Sequence, residues 1–421
     1  MASGAMPSMP KITVNAQRVS DELEKLARFS DHDYPAVTRI IFTENDIKAR
    51  DYFKSLAREA GLHVREDSIG NIFVRLGDES ALGAIGTGSH CDAVPHAGRF
   101  DGTVGVFGGL EALRALKTAG FQPKRPIEVV FFTSEEPTRF GIGCIGSRIM
   151  SNTIALDKVA ALRDKDGLSF DEARGSAGYK GTVESAILPK GYYDYFVELH
   201  IEQGPVLERE KKQIGIVTGI AAPASFRIHF TGEGGHAGGV LMPARKDALV
   251  PCAILIQEAE RLAKASPSPD TVATVGVVKV HPGAINSIPA KATVEFDIRD
   301  IRLETRDAVV TAVKTLAKRL ADERGLKVEI EDINSDPPAV SDETILKVAE
   351  AATETRGYSH MRLPSRAYHD SLFIARIAPM GMIFVPSKSG YSHRSDEYTS
   401  PEEIGRGVEI LAQTMAELSL R

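Results

Sequence analysis

His90 and Asp92 stand two residues apart in GSHCDAVPHAGRFDGTVG (88–105), and a second aspartate, Asp101, follows nine residues after Asp92. On a strand, side chains two apart face the same side. If the backbone turns there, Asp92 can instead orient the His90 ring, as carboxylates do behind metal-bound histidines. Glu135 and Glu136 follow the apolar run IEVVFFTS. Adjacent carboxylates at the end of a buried strand are costly unless solvated or bound to cations. Successive side chains diverge, so one can ligate a metal while the other serves as general base. His200 ends a further strand, ahead of the polar turn Glu202-Gln203-Gly204-Pro205, and His393 lies in GYSHRSDEYTS. Each histidine alone reads as an ordinary hydrogen-bonded residue. Together, His90, Asp101, Glu136, His200 and His393 are the nitrogen and oxygen set expected for two divalent ions bridged by an aspartate, Zn²⁺ or Mn²⁺. Two ions about 3.5–4 Å apart bring the pKa of a shared water near 7.

Other residues carry weaker signals. His236 sits in EGGHAGG, where glycines allow close backbone approach to a ligand. Asn286 lies in HPGAINSIP, and Arg299 ends the strand reading FDIRD. An arginine there suits bidentate carboxylate binding, or an ion pair with Asp297 or Asp300. His369 and Asp370 open a helix: His369 is a candidate for substrate contact or for supporting the metal ligands, and Asp370 for the helix start. Tyr391 precedes the Ser392-His393 segment and is expected to line the pocket. Cys91, beside His90, is a candidate thiol, but a free cysteine is usually a small packing residue.

The elements that must position these residues are legible in order. Val19, Leu23 and Leu26 recur at helical spacing. Thr43 with Asp46 three residues on resembles a capping box, and Gly61 ends that helix. Leu62–Leu76 reads strand, turn, strand; Ala84–His90 is a short strand; Thr103–Thr118 is a helix stopped by Gly120. Alternation of helices with apolar strands gives an α/β sheet, with ligands expected beyond the C-terminal strand ends. Residues 212–330 have a different texture, strand–helix–strand–strand–helix–strand, and read as an inserted α+β domain. The catalytic domain is then expected over 11–211 and 331–421, ending in an amphipathic helix from about Pro401.

With 421 residues, two domains are the default. A net charge of −6 without a basic block disfavours nucleic acid or an anionic membrane as partner. The apolar runs are too short to span a bilayer. Three cysteines without a CxxC pair fit a reducing compartment. The start, MASGAMPSMP, lacks an apolar targeting core and reads as a trimmed or added segment. The expected location is cytoplasmic, or the endoplasmic reticulum if a plant targeting segment has been removed.

On GSHCDAVPHAGRFDGTVGV, FTSEEPTRFGIGCIGSR, ELHIEQGPVLE, GEGGHAGGVLMPARKDAL, HPGAINSIPAKATVEFDIRD and YSHRSDEY, the chain resembles the M20-type metallo-amidohydrolases. The branch is that of the N-carbamoyl-L-amino acid amidohydrolases, β-ureidopropionases and allantoate amidohydrolases, and the resemblance runs from about residue 15 to the C-terminus. AVPHAGRFDG, GIAAPASF, VLMPARKDA and SRAYHDSLFIARIAPMGMIFVPSKSGYSH resemble most the members that cleave ureidoglycolate; relatives usually carry a GAGHDA-like motif where AYHDS stands here. The resemblance implies a metallopeptidase-like α/β catalytic domain with an inserted dimerisation or lid domain. It implies two metal ions, Mn²⁺ before Zn²⁺, one held by His90, Asp101 and His200 and the other by Asp101, Glu136 and His393. Peptidase relatives usually have a carboxylate where His200 stands. Glu135 would be general base and then proton donor, with Asp92 orienting His90. Gln203 would contact the ureido group, His236 the oxyanion, and Asn286 with Arg299 the substrate carboxylate. The insert would form a homodimer interface, with His236 reaching the partner's site, and would close over the metals.

The reaction so implied is hydrolysis of ureidoglycolate to glyoxylate, ammonia and CO₂, a step of purine and ureide catabolism. Competing readings are the same chemistry on allantoate or an N-carbamoyl amino acid, a peptidase or deacetylase, which His200 disfavours, and a non-catalytic metal-binding scaffold, which an intact Glu135 disfavours.

Overall fold

A computed structural model describes residues 12–421. MASGAMPSMP and the reading of it as a processed start lie outside the described residues, and nothing in the fold supports the endoplasmic-reticulum expectation that rested on it. Among the described residues, no helix is long and apolar enough to cross a membrane.

The chain divides into two compact units. One runs to Thr218 and resumes over Val340–Ser365 and His369–Arg421; the other comprises Gly219–Ala339 with Arg366–Tyr368. The insert thus starts and ends later than the expected 212–330. Ile214–Ile220 pairs antiparallel with Met380–Val385 in the large sheet, and Lys327–Ser335 continues past residue 330 in the small one. The change of texture lies inside a strand, where periodicity alone marks no boundary.

The first unit is built on a nine-stranded sheet. Its strands run in the order Ala339–Val340, Ile214–Ile220, Met380–Val385, Tyr193–Ile201, Ala84–His90, Ile127–Phe132, Ile72–Leu76 and His63–Glu66, with His360–Ser365 pairing Ile214–Ile220. The four from Met380–Val385 to Ile127–Phe132 are mutually parallel. Three of them are buried along their whole length, as strands covered on both faces are. Register sets Phe132 opposite His90 and Phe384 opposite His200, so the C-terminal ends of these strands lie level. Helix Thr103–Thr118 packs on the central strands and on the final helix, Pro401–Ser419. Its Phe107, Leu110 and Leu113 are wholly buried, each stabilising the fold by roughly 1.5–3 kcal/mol relative to exposure. The final helix starts at a full capping box, Ser400 with Glu403, and has Pro401 in its first turn. Thr43 also caps its helix, but Asp46 turns to Phe42 N–H and Arg50 instead of completing the box. The sheet of short strands Val37–Arg39 and Ala93–Ala97, and the short helices Ile145–Met150, Leu156–Ala161 and Phe170–Ser176, lie outside the sequence expectations.

The second unit is α+β. Strands Val272–His281, Lys291–Asp300, Ala222–Thr231 and Lys327–Ser335 form an antiparallel sheet in that order. Phe226, Ile228 and Phe230 are buried with helices Leu249–Lys264 and Leu303–Arg324, while the alternate residues Arg227 and His229 are part-exposed.

Candidate metal centre

All five expected ligands belong to the first unit, at the C-terminal edge of its parallel strands. His90 and His200 end two neighbouring strands, Glu135 and Glu136 follow a third, and His393 lies in the loop after the fourth. Asp101 comes from the loop before helix Thr103–Thr118. Its Oδ1 lies 3.5 Å from His90 Nε2 and 3.3 Å from His200 Nε2. Its Oδ2 lies 3.4 Å from His393 Nε2, which is 3.2 Å from Glu136 Oε1. One carboxylate therefore faces two histidines with one oxygen and a third with the other. Gly102, in the left-handed region at φ 68°, makes this approach possible: a Cβ there would come 2.4 Å from His90 Nε2.

The imidazoles are held from behind. His90 Nδ1 is 3.0 Å from the carbonyl of Asp92, and His200 Nδ1 is 2.9 Å from that of Ile201. A carbonyl only accepts, so each Nδ1 is the donor and each Nε2 is left facing Asp101. Burial alone would raise Asp101, but the imidazoles of His200, His393 and His90 facing it outweigh burial and hold it well below the usual carboxylate range. Hydrogen bonds to Asp101 and Glu136 push His393 up to about 11. Carboxylate oxygens and imidazole nitrogens thus face one another across short gaps. The residues present fit two cations: His90, Asp101 and His200 form one group of donor atoms within 4.8 Å of one another, and Asp101, Glu136 and His393 form another.

Glu135 is buried, with Oε2 3.6 Å from His90 Nε2. Burial raises it well above the ordinary carboxylate value, opposed by His90 and reinforced by Glu136. Asp92 faces both His90 and the Glu pair. Its carboxylate lies 3.7 Å from His90 Nδ1, while the ring bonds its backbone carbonyl. Its Oδ1 and Oδ2 accept the N–H groups of Glu135 at 3.3 Å and Glu136 at 3.0 Å. Burial pushes Asp92 up to about 6, with His90 opposing. Gln203 donates Nε2–H to Asp101 Oδ2 at 2.7 Å, and its buried Oε1 has no partner among the described residues.

His369 is buried and packs edge-on against His200, ring centroids 4.6 Å apart, with Nε2 2.8 Å from Ser365 Oγ. Burial, with His200 nearby, holds it well below its usual value. Its ring thus backs His200. Tyr391 lies under the guanidinium of Arg394, 3.7 Å from the ring centroid, and Arg394 is fixed by a bidentate pair with Asp396. Cys91 is fully buried and pushed up to about 12 by that burial, so it packs rather than reacts.

His236, Asn286 and Arg299 fall in the second unit. The ribbon Gly235–His236 pairs with Ser287–Ile288, and Ala237 N–H bonds the Asn286 carbonyl, which brings two of the three together in an exposed turn. Arg299 makes the ion pair that was its alternative reading: Nε and one Nη donate to the two oxygens of Asp297 at 2.7 and 3.0 Å, and the other Nη to the carbonyl of Arg366.

Two supporting carboxylates were not foreseen. Glu198 accepts from Ser89 Oγ, Ser371 N–H and Ser371 Oγ, all buried. A lone acid in the apolar strand YFVELHI, two residues before His200 and hence on its face, is the signal that marks it. Glu397 accepts from Phe100 N–H and Asp101 N–H. No spacing rule points to it.

The profile of peptidase family M20/M25/M40 matches residues 86–417. Ureidoglycolate hydrolase of Oryza sativa subsp. japonica is 50% identical over 97% of this chain and 86% of its own length. Ureidoglycolate hydrolase of Arabidopsis thaliana is 49% identical over 99% and 89%. A crystal structure of AtUAH in complex with glyoxylate aligns at a TM-score of 0.82 and 48% identity, covering 97% of this chain and 99% of the other. With its sheet-edge cluster of His90, Asp101, Glu136, His200 and His393, this chain belongs to peptidase family M20/M25/M40.

Proposed function

We propose that the chain is a two-metal amidohydrolase that cleaves the ureido C–N bond of ureidoglycolate. The observation that carries the reading is the sharing of Asp101 between the two donor groups, beside a buried Glu135, in a chain about half identical to two ureidoglycolate hydrolases.

His90, Asp101 and His200 would hold one divalent ion and Asp101, Glu136 and His393 the other, Mn²⁺ before Zn²⁺. When bound, such ions would polarise the ureido carbonyl and lower the pKa of a metal-bound water. Glu135 takes a proton from the attacking water as it adds to the ureido carbon, then delivers it to the leaving nitrogen, and ammonia departs. The carbamate left behind releases CO₂ to give hydroxyglycine, which loses ammonia to give glyoxylate. Asp92 holds the peptide planes of the Glu pair. The unpartnered Gln203 Oε1 accepts from the ureido NH₂. His236 steadies the oxyanion, Asn286 and Arg299 take the substrate carboxylate, and the protein acts as a homodimer. His369 supports His200, its reading as a substrate contact being the weaker one for so buried a ring. Tyr391 limits the pocket to substrates with one ureido arm.

An ammonia-release assay on ureidoglycolate, allantoate and N-carbamoyl-β-alanine tests the reading. Turnover is expected to be highest on ureidoglycolate; preference for either of the others would reassign the substrate while leaving the chemistry.

A further inference from the structure

We infer that Glu397 is a positioning residue for Asp101, an inference that rests on the two-ion reading above. Asp101 lies in a loop between strand Ala93–Ala97 and helix Thr103–Thr118, where no strand ladder satisfies its N–H. Glu397, only 3% exposed, supplies the acceptor: its Oε1 takes the N–H of Phe100 at 2.8 Å and of Asp101 at 3.1 Å. Buried N–H groups require partners, and a carboxylate is a strong one. Fixing these two peptide planes fixes the direction in which the Asp101 side chain leaves the backbone.

The same segment grips the other end of Asp101. Ser392 Oγ donates to Asp101 Oδ2 at 2.5 Å, and His393 Nε2 lies 3.4 Å from that oxygen. One loop therefore delivers a ligand and clamps the shared carboxylate at both backbone and side chain. Gly98 leaves room for the clamp: a Cβ there would come 2.4 Å from Cβ, Cδ and Oε1 of Glu397.

Calorimetric titration of the metal-depleted full chain with Mn²⁺ tests this, alongside melting of the metal-free proteins. Glu397→Gln keeps an acceptor at Oε1 and is expected to bind within about threefold of wild type. Glu397→Leu removes it, and Gly98→Ala displaces it with its charge intact; each is expected to weaken Mn²⁺ binding about tenfold or more. The double variant Gly98→Ala/Glu397→Leu should be little worse than Glu397→Leu alone, because both act through one contact. A mere loop staple would lower melting temperature and leave Mn²⁺ affinity alone, which would overturn the inference, as would Glu397→Gln binding as weakly as Glu397→Leu. If Glu397→Leu does not fold, Gly98→Ala decides by the same criterion. Wild type that takes up no Mn²⁺ would remove the two-ion reading and this inference with it; wild type that binds beside unaffected variants removes this inference alone.

Discussion

The carboxylate of Asp92 holds the backbone of Glu136, accepting its N–H at 3.0 Å, and through its other oxygen that of Glu135 at 3.3 Å. The acid two residues after the first histidine thus holds the backbone of the pair proposed to supply a metal ligand and the general base. Asn at position 92 offers one acceptor, so one buried N–H loses its partner at a cost of roughly 1–3 kcal/mol. Asp92→Asn is therefore expected to lower both melting temperature and kcat, measured by calorimetry and ammonia release. Wild-type kcat in a destabilised Asp92→Asn would reduce its role to stability.

Glu135→Gln keeps the shape of the side chain and removes its ability to take a proton. Turnover should fall by about 10²–10⁴-fold. Metal content by mass spectrometry should stay at the wild-type level, since Glu135 lies outside both donor groups. Appreciable residual activity would sink the general-base assignment.

His200→Ala removes a nitrogen 3.3 Å from Asp101 Oδ1 and the ring against which His369 packs. Bound metal should drop below the wild-type stoichiometry. Retention of the full complement would mean that His200 is a core histidine and no ligand.

Tyr391→Ile shortens a side chain that Arg394 holds by ring stacking. The ratio of kcat/KM for allantoate to that for ureidoglycolate should rise by about tenfold or more, in line with the 1–3 kcal/mol range of pocket discrimination. An unchanged ratio would dismiss Tyr391 as the discriminator.

Much of this arrangement was legible because His90, the Glu135-Glu136 pair and His200 stand at or just beyond the ends of recognisable strands. The apolar strands before His90, Glu135 and His200 announce their ends, and level strand ends bring distant residues to one edge. What escaped was tertiary. That the Asp92 carboxylate also holds the Glu pair depends on a turn at residues 91–92, which strand periodicity does not describe. Glu397 acts on backbone N–H groups, and any acidic residue in a loop looks alike until the loop is folded. Arg299 shows a second limit: a strand-end arginine suits a substrate carboxylate, but its pairing with Asp297, two residues away, is visible only in the folded strand.

The most direct measurement is ammonia release from ureidoglycolate and from allantoate by metal-depleted protein, before and after reconstitution with Mn²⁺ or Zn²⁺. The depleted protein should be inactive, and Mn²⁺ should restore turnover with ureidoglycolate strongly preferred. Full activity in the depleted protein, or no ammonia from ureidoglycolate with either ion, would contradict a two-metal ureidoglycolate amidohydrolase.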